Sequence, residues 1–389
     1  MINFWPMLLP AAACSGWWLA RRNDSIKHPE SNNQLSREYV MGLNYLLNEQ
    51  PDKAVDIFIK LLEVDSETVE THLALGSLFR RRGEVDRAIR IHQNLIARPQ
   101  LSVSQRKEAL MALAQDYMSA GVFDRAERIF IEVVELGGTP DANSLRGLLA
   151  IYQQEKSWEK ALETLKKLEL STGHSMNAQA AHYYCEMGHQ AMTMSAHDKA
   201  YTVIKQALVV DKQSVRASLM LAELEMLQGR YNPAVRALKR VSAQDPDFLT
   251  EIIEPLLKAS AELNTMDECI SYLESVLSDH PRASIIFAIG DFVRDEKSLD
   301  VAIDFVSVQL GRYPSIRGLN QLIQWHLESA HGLVRDKLDM LYSITSKFLE
   351  NKPVYRCEHC GFSGTLLHWL CPSCKQWGST KPIHGLEGD

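Results

Sequence analysis

The sequence has no phosphate-cradling G-x4-G-K-[ST] loop, no H-E-x-x-H helix and no G-x-S-x-G elbow. Three common enzyme chemistries therefore lose their usual signature, and the chain is expected not to be an enzyme. An excess of positive charge is missing too. Lys and Arg total 42 against 49 Asp and Glu, a net charge of −7. There is no basic bias of the kind that nucleic-acid binding needs. Cysteine is scarce and unevenly placed. Of seven, Cys14, Cys185 and Cys269 stand alone, while Cys357, Cys360, Cys371 and Cys374 crowd the C-terminus. That spacing excludes a disulfide framework and fits a metal site in a reducing compartment. Finally, no charged side chain occurs between Met1 and Ala20.

That uncharged stretch, MINFWPMLLPAAACSGWWLA, runs directly into Arg21 and Arg22. Twenty helical residues rise about 30 Å, the thickness of a hydrocarbon core. Trp5, Trp17 and Trp18 sit near its ends, where indoles favour the membrane interface. Residues 1–20 are thus expected to form a transmembrane anchor. The positive charge that follows places the remaining chain in the cytoplasm. A cleaved signal expects a basic stretch before the apolar run, and there is none. Ala11, Ala12 and Ala13 before Cys14 also suit a lipoprotein signal and a periplasmic array, but the missing basic start and the Arg pair argue against it. A buried core helix is the bland alternative. Residues 21–34 read as a polar linker.

At 389 residues the chain exceeds the roughly 250–300 that one hydrophobic core supports. Self-similarity from about residue 35 resolves this. The phrases PDKAVDIF, EVDRAIRIH, VFDRAERIF, SWEKALETL, AHDKAYTVI, YNPAVRAL, MDECISYL and SLDVAIDFV share a small residue, in all but the third directly before a hydrophobic one. The small residues are Ala54, Ala88, Ala126, Ala161, Ala200, Ala234, Cys269 and Ala302, separated by 34, 38, 35, 39, 34, 35 and 33. A period near 34 resembles the tetratricopeptide repeat, a stack of antiparallel helix pairs. With Ala54 as motif position 20, Gly42, Tyr45 and Phe58 fall at positions 8, 11 and 24; Gly76, Phe79 and His92 follow, then Ala114, Tyr117 and Phe130. Small residues let the two helices approach and the larger ones fill what is left. Such pairs bury their apolar faces only by stacking. The expected fold is an all-α repeat solenoid over 35–350, about nine helix pairs, whose groove recognises peptides or proteins. Arg80 and Arg81, followed by Arg82, are candidate partner-binding residues for an acidic segment; equally, they suit a helix C-terminal dipole. Cys185 and Cys269 read as buried small hydrophobes.

Residues 351–389 hold the most specific chemistry. Cys357-x2-Cys360, ten residues, and Cys371-x2-Cys374 bring four thiolates from two tight turns onto one iron or zinc ion. Gly361 permits a left-handed turn after the first pair, and Pro372 stiffens the second. So short a segment is expected to form a hairpin at most and to fold only with its metal. Tyr355, Trp369 and Trp377 are read as a miniature core around the ion. His359 and His368 are alternative ligands, but four cysteines already complete the shell, which leaves no open position for hydrolysis. Iron there would allow an alternative role in redox or metal sensing.

In this order, the tryptophan-bearing anchor, the helix pairs and YRCEHCGF…HWLCPSCKQW…KPIHGL resemble the lipopolysaccharide assembly protein B family of Gram-negative bacteria along essentially the whole chain. GEVDRAIRIHQ and LSREYVMGLNYLLN carry the same resemblance. It implies a single-pass inner-membrane adaptor facing the cytoplasm, with a rubredoxin-like tail. It implies promotion of proteolysis of the lipid A deacetylase LpxC by the membrane protease FtsH, and gathering of other lipopolysaccharide assembly proteins. It also implies Cys357, Cys360, Cys371 and Cys374 as metal ligands. The spacing is tighter than in true rubredoxins, so electron transfer does not carry over. Whether the chain forms a homo-oligomer stays open.

Overall fold

The computed structural model describes residues 40–45, 48, 50, 53–55, 57–58, 69–136, 141–350, 352–386 and 388. The expected anchor at 1–20 and the linker at 21–34 lie outside them. Among the described residues no helix is long and apolar enough to cross a membrane.

The chain divides into two compact units, Met1–Glu155 and Lys156–Asp389. In the first, helical residues at 40–45, 53–55 and 57–58 precede α1 (Val69–Arg81), α2 (Val85–Ile96), α3 (Val103–Ser119), α4 (Phe123–Leu136) and α5 (Ala142–Gln154). The second holds α6 (Trp158–Thr172), α7 (Asn177–Thr193), α8 (His197–Val210), α9 (Val215–Leu227), α10 (Tyr231–Gln244), α11 (Leu249–Glu262), α12 (Met266–Asp279), α13 (Ala283–Glu296), α14 (Leu299–Arg312), α15 (Ile316–Ser329) and α16 (Gly332–Leu349). A 3-10 turn, Pro246–Phe248, leads into α11. The all-α expectation needs one correction. The tail forms a three-stranded antiparallel sheet, β1 (Tyr355–Cys357), β2 (Ser363–Gly364) and β3 (Thr380–Pro382), in the order β2-β1-β3.

The motif's small residues sit where the packing argument puts them. Ala54, Ala88, Ala126, Ala161, Ala200, Ala234 and Ala302 are fully enclosed, and Cys269 is 2% exposed. Position 8 explains its glycines through position 24, sixteen residues on. A Cβ at Gly42 would lie 2.7 Å from the Phe58 ring, and one at Gly188 2.7 Å from Ile204 Cγ1. Such overpacking costs about 1–3 kcal/mol, so the helix pairs with glycine at position 8 are keyed at this contact. Five residues before six of the eight small residues, the turn joining the two helices passes through the left-handed region. It does so at Gly83, Gly121, Lys156, Ser195, Gly229 and Asn264, with φ between 55° and 82°. Several first helices open on side-chain caps: Ser102 with Gln105 in a reciprocal box before α3, Ser214 before α9 and Ser315 before α15. These caps satisfy amides that the helix itself cannot.

Candidate metal centre and its docking surface

The four cysteines form two equivalent knuckles. In the first, the Gly361 amide donates to the Cys357 carbonyl (2.9 Å) and the Cys357 amide to the Phe362 carbonyl (2.7 Å). In the second, fourteen residues on, Lys375 donates to Cys371 (2.9 Å) and Cys371 to Gln376 (3.0 Å). Gly361 has φ 77°, and Lys375 occupies the same left-handed place at φ 57°. This geometry aims all four Sγ atoms inward, within 4.8 Å of one another. Cys357 and Cys374 are 3.8 Å apart, Cys360 and Cys371 3.7 Å. A tetrahedron with metal–sulfur bonds of about 2.3 Å has edges of about 3.8 Å, so the donor set fits one zinc or iron ion.

The surroundings favour the thiolate at the first pair of cysteines. Burial pushes Cys357 up, but the Ser379 hydroxyl (3.2 Å) and the amides of Cys360 and His359 outweigh it and bring the thiol down to about 6. The Phe362 amide holds Cys360 below the usual thiol range. Cys374 is pushed up by burial, to about 11, against the Gln376 amide. Ligation requires every one of the four as thiolate. Among the described residues no histidine joins them: His359 is exposed, and His368 lies edge-on to Phe362 at 6.2 Å. The shell is closed, as structural sites are.

Trp369 and Trp377, read above as a core around the ion, do something else. Both leave the ribbon to pack on the helices of its own unit. Trp377 stacks on His182 (5.1 Å, 23°) and meets Tyr183 and Trp158 edge-on at 5.9 and 6.3 Å. Trp369 stacks on Phe248 (5.3 Å, 17°) and, with Leu367, joins the main core of the unit. The Arg216 guanidinium lies 5.9 and 5.8 Å from the two indoles. Gly378 explains how closely the backbone comes: at φ 63°, a Cβ there would sit 3.0 Å from His182 Nε2. Polar contacts surround this aromatic seat. Tyr355 donates to Glu251 at 2.6 Å, and Lys381 Nζ reaches Asp247 (3.0 Å) and Asp245 (3.1 Å). The Ile316 amide donates to the Leu386 carbonyl (3.0 Å), and the Ser315 hydroxyl to that of Gly388 (2.9 Å). The ribbon is therefore a docked element, held along the N-terminal ends of α7, α9, α11 and α15.

Burial and the neighbouring Arg216 push His182 down to about 3, so it sits neutral under Trp377. Burial likewise raises Cys185, to about 12, and Cys269. Both are enclosed in helix packing, as their positions predict.

Arg80 lies in the other unit. Its guanidinium donates to Asp116 Oδ1 (2.6 Å), Gln115 Oε1 (3.0 Å) and the Ala112 carbonyl (3.2 Å). Asp116 is fully buried, and its second oxygen pairs with His92 Nδ1 at 2.5 Å. Arg80 thus serves as counter-ion to a buried aspartate while edging a groove of about 990 Å³ with Lys107 and Arg146. Arg81 is exposed, and Arg82 pairs with Glu84 at 3.1 Å.

Stacked helix pairs and a closed tetrathiolate ribbon docked on them define a helical-repeat protein with a structural metal-binding tail. Comparison agrees. A family model described as the rubredoxin metal binding domain matches residues 355–382, and tetratricopeptide-repeat models match 71–103 and 191–252. Lipopolysaccharide assembly protein B of Escherichia coli K12 is 38% identical over 389 residues, covering 100% of both chains. Its Haemophilus influenzae counterpart is 37% identical over 397 residues, again covering 100% of both. The chain belongs to the lipopolysaccharide assembly protein B family. Among solved structures, the Naa15/Naa10 complex bound to HypK-THB matches at 10% identity and a TM-score of 0.41, over 82% of this chain and 47% of that one, which is too loose to argue from.

Proposed function

We propose that this chain is a non-enzymatic adaptor of lipopolysaccharide synthesis, tethered to the bacterial inner membrane by residues 1–20 with its repeats in the cytoplasm. The full-length match to proteins named for lipopolysaccharide assembly is the observation that carries the pathway. The metal site and the helix pairs agree with an adaptor. Among the described residues, one group of three or more His, Cys, Asp or Glu converges as a metal site, and its shell is closed. Helix pairs of this kind present surfaces for other chains.

In this reading the array and ribbon hold LpxC, and the anchor places it beside the protease FtsH, where other lipopolysaccharide assembly proteins also gather. Tethering raises the effective concentration of substrate at the protease without new contacts. The test is the lifetime of LpxC after translation arrest in cells depleted of this protein and re-supplied with the full chain or with a chain lacking residues 1–20. Depletion lengthens the lifetime, the full chain restores it, and the truncated chain at equal low expression does not. Restoration by the truncated chain would remove the tether from the mechanism. A lifetime unaffected by depletion would remove the pathway.

A further inference from the structure

Where the ribbon meets the helices, a cleft of about 620 Å³ remains open. Its size is that of a ligand site. One wall is the start of α7 and α9 with the end of α10. The other is the second knuckle, Lys375 to Gly378, with Trp369. Three buried polar atoms on residues lining it have no hydrogen-bond partner among the described residues: Arg216 Nη1, Gln244 Oε1 and His182 Nδ1. Arg216 is 7% exposed, and its other terminal nitrogen donates to Glu186 at 2.7 Å. Buried polar groups are nearly always satisfied, so three orphans around one cleft mark an incomplete arrangement.

The chemistry of these groups narrows the occupant. They comprise an N–H donor, an amide acceptor and a ring nitrogen able to serve either way. Gln179, Gln213 and Gln376 add further amide side chains to the lining. Charge is balanced. Arg216 faces Glu186, Asp245 is paired with Lys381, and Lys375 and Asp211 both line the cleft. No field of one sign is present to select a phosphate or another polyanion. A neutral ligand that alternates donors and acceptors suits the cleft, and the peptide backbone is such a ligand. The two indoles, only partly buried, offer apolar surface for one of its side chains.

We propose that this cleft grips an extended peptide segment of a partner protein through its backbone amides, and that the metal assembles the site. This rests on the adaptor reading above and says where a partner is held. The metal enters through the second wall. Lys375 and Gln376 are placed by hydrogen bonds to Cys371, and Gly378 by one to Trp369 (2.8 Å). Strands of two or three residues cannot hold that loop once the ion is gone.

The test uses the full-length, metal-loaded protein and a random dodecapeptide phage library. Selected peptides are synthesised with a fluorescent label and titrated by anisotropy. N-methylating the central backbone amides is expected to weaken binding about tenfold or more, about 1.4 kcal/mol. Amidating the C-terminal carboxylate has no such effect. Gln244→Leu weakens binding to a similar degree with the helical circular dichroism unchanged, which covers the case that Arg216→Lys fails to fold. Stripping the metal abolishes binding, and adding zinc restores it. Peptides that bind stripped protein and Gln244→Leu as tightly as the native chain overturn this site. They also leave the adaptor reading standing, because they then grip another groove. Failure to select any peptide overturns the site as well.

Discussion

Replacing Trp377 by alanine isolates the docking of the ribbon from its folding, because the four ligands and both knuckles stay intact. The ring makes three aromatic contacts, to His182, Tyr183 and Trp158, at centroid distances of 5.1, 5.9 and 6.3 Å. Each is worth about 0.5–1.5 kcal/mol, and the Arg216 guanidinium at 5.8 Å adds about 0.5–1 kcal/mol. Trp377 is only partly buried, so the lower ends of these ranges apply, about 2 kcal/mol together. The lost apolar burial brings the total to about 3 kcal/mol, in line with other buried Trp→Ala changes. That is about a hundredfold shift of the docking equilibrium towards the undocked ribbon. Hydrogen exchange reads it directly. Amides at the start of α7 and α9 exchange up to about a hundredfold faster in W377A, while the metal content remains one ion per chain. Unchanged protection in those turns, with the metal retained, would refute the account of docking. Simultaneous loss of the metal would show that Trp377 belongs to the ribbon's own core.

The seat of Trp377 also predicts a pH dependence. His182 is held down to about 3 in the docked state, against an ordinary value of about 6.5. A group depressed on docking binds more protons when undocked, so docking is at full strength above about pH 6.5 and weakens as pH falls towards 3. Exchange of the α7 amides followed between pH 7 and 5 checks the sign, and His182→Phe flattens the profile. Gly378→Ala forces a Cβ to within 3.0 Å of His182 at positive φ. It is expected to cost about 1–2 kcal/mol and to loosen the ribbon in the same exchange experiment. Arg80→Met leaves the buried Asp116 with one partner fewer and is expected to lower the denaturation midpoint of the first unit by an amount worth about 3 kcal/mol. A surface role for Arg80 alone would leave that midpoint in place.

The repeats are legible from the sequence because their determinants are local and phased. The small residue of the second helix is buried in all eight copies, from Ala54 to Ala302, because close helix approach leaves no other choice. The metal site is legible for the same reason: two pairs of cysteines, each spaced by two residues, are brought together by turns they themselves close. What escaped is non-local or depends on turn conformation. Trp369 and Trp377 lie two and three residues from a ligand, within a tail too short for a core, and an ion-centred cluster was the local reading. Their true partners, Phe248 and His182, are more than a hundred residues away and carry no periodic mark. Arg80 shows the same limit. Its partner Asp116 lies on the next repeat, and an aspartate inside an apolar helix was the sign that a cation had to reach it. The second knuckle hid its left-handed residue because Lys375 stands where the first has Gly361. The third strand was missed because β1 pairs with both β2 and β3, the latter beyond the second knuckle.

The central claim is that the docked, metal-loaded ribbon and the repeats act together as one adaptor. The half-life of LpxC after translation arrest, in cells whose only copy of this protein is W377A, tests it most directly. The protein is expected to be present at the native level with its metal bound, and LpxC to persist markedly longer than in cells carrying the native chain. An LpxC half-life equal to the native one, with the ribbon shown to be undocked by exchange, would contradict the claim.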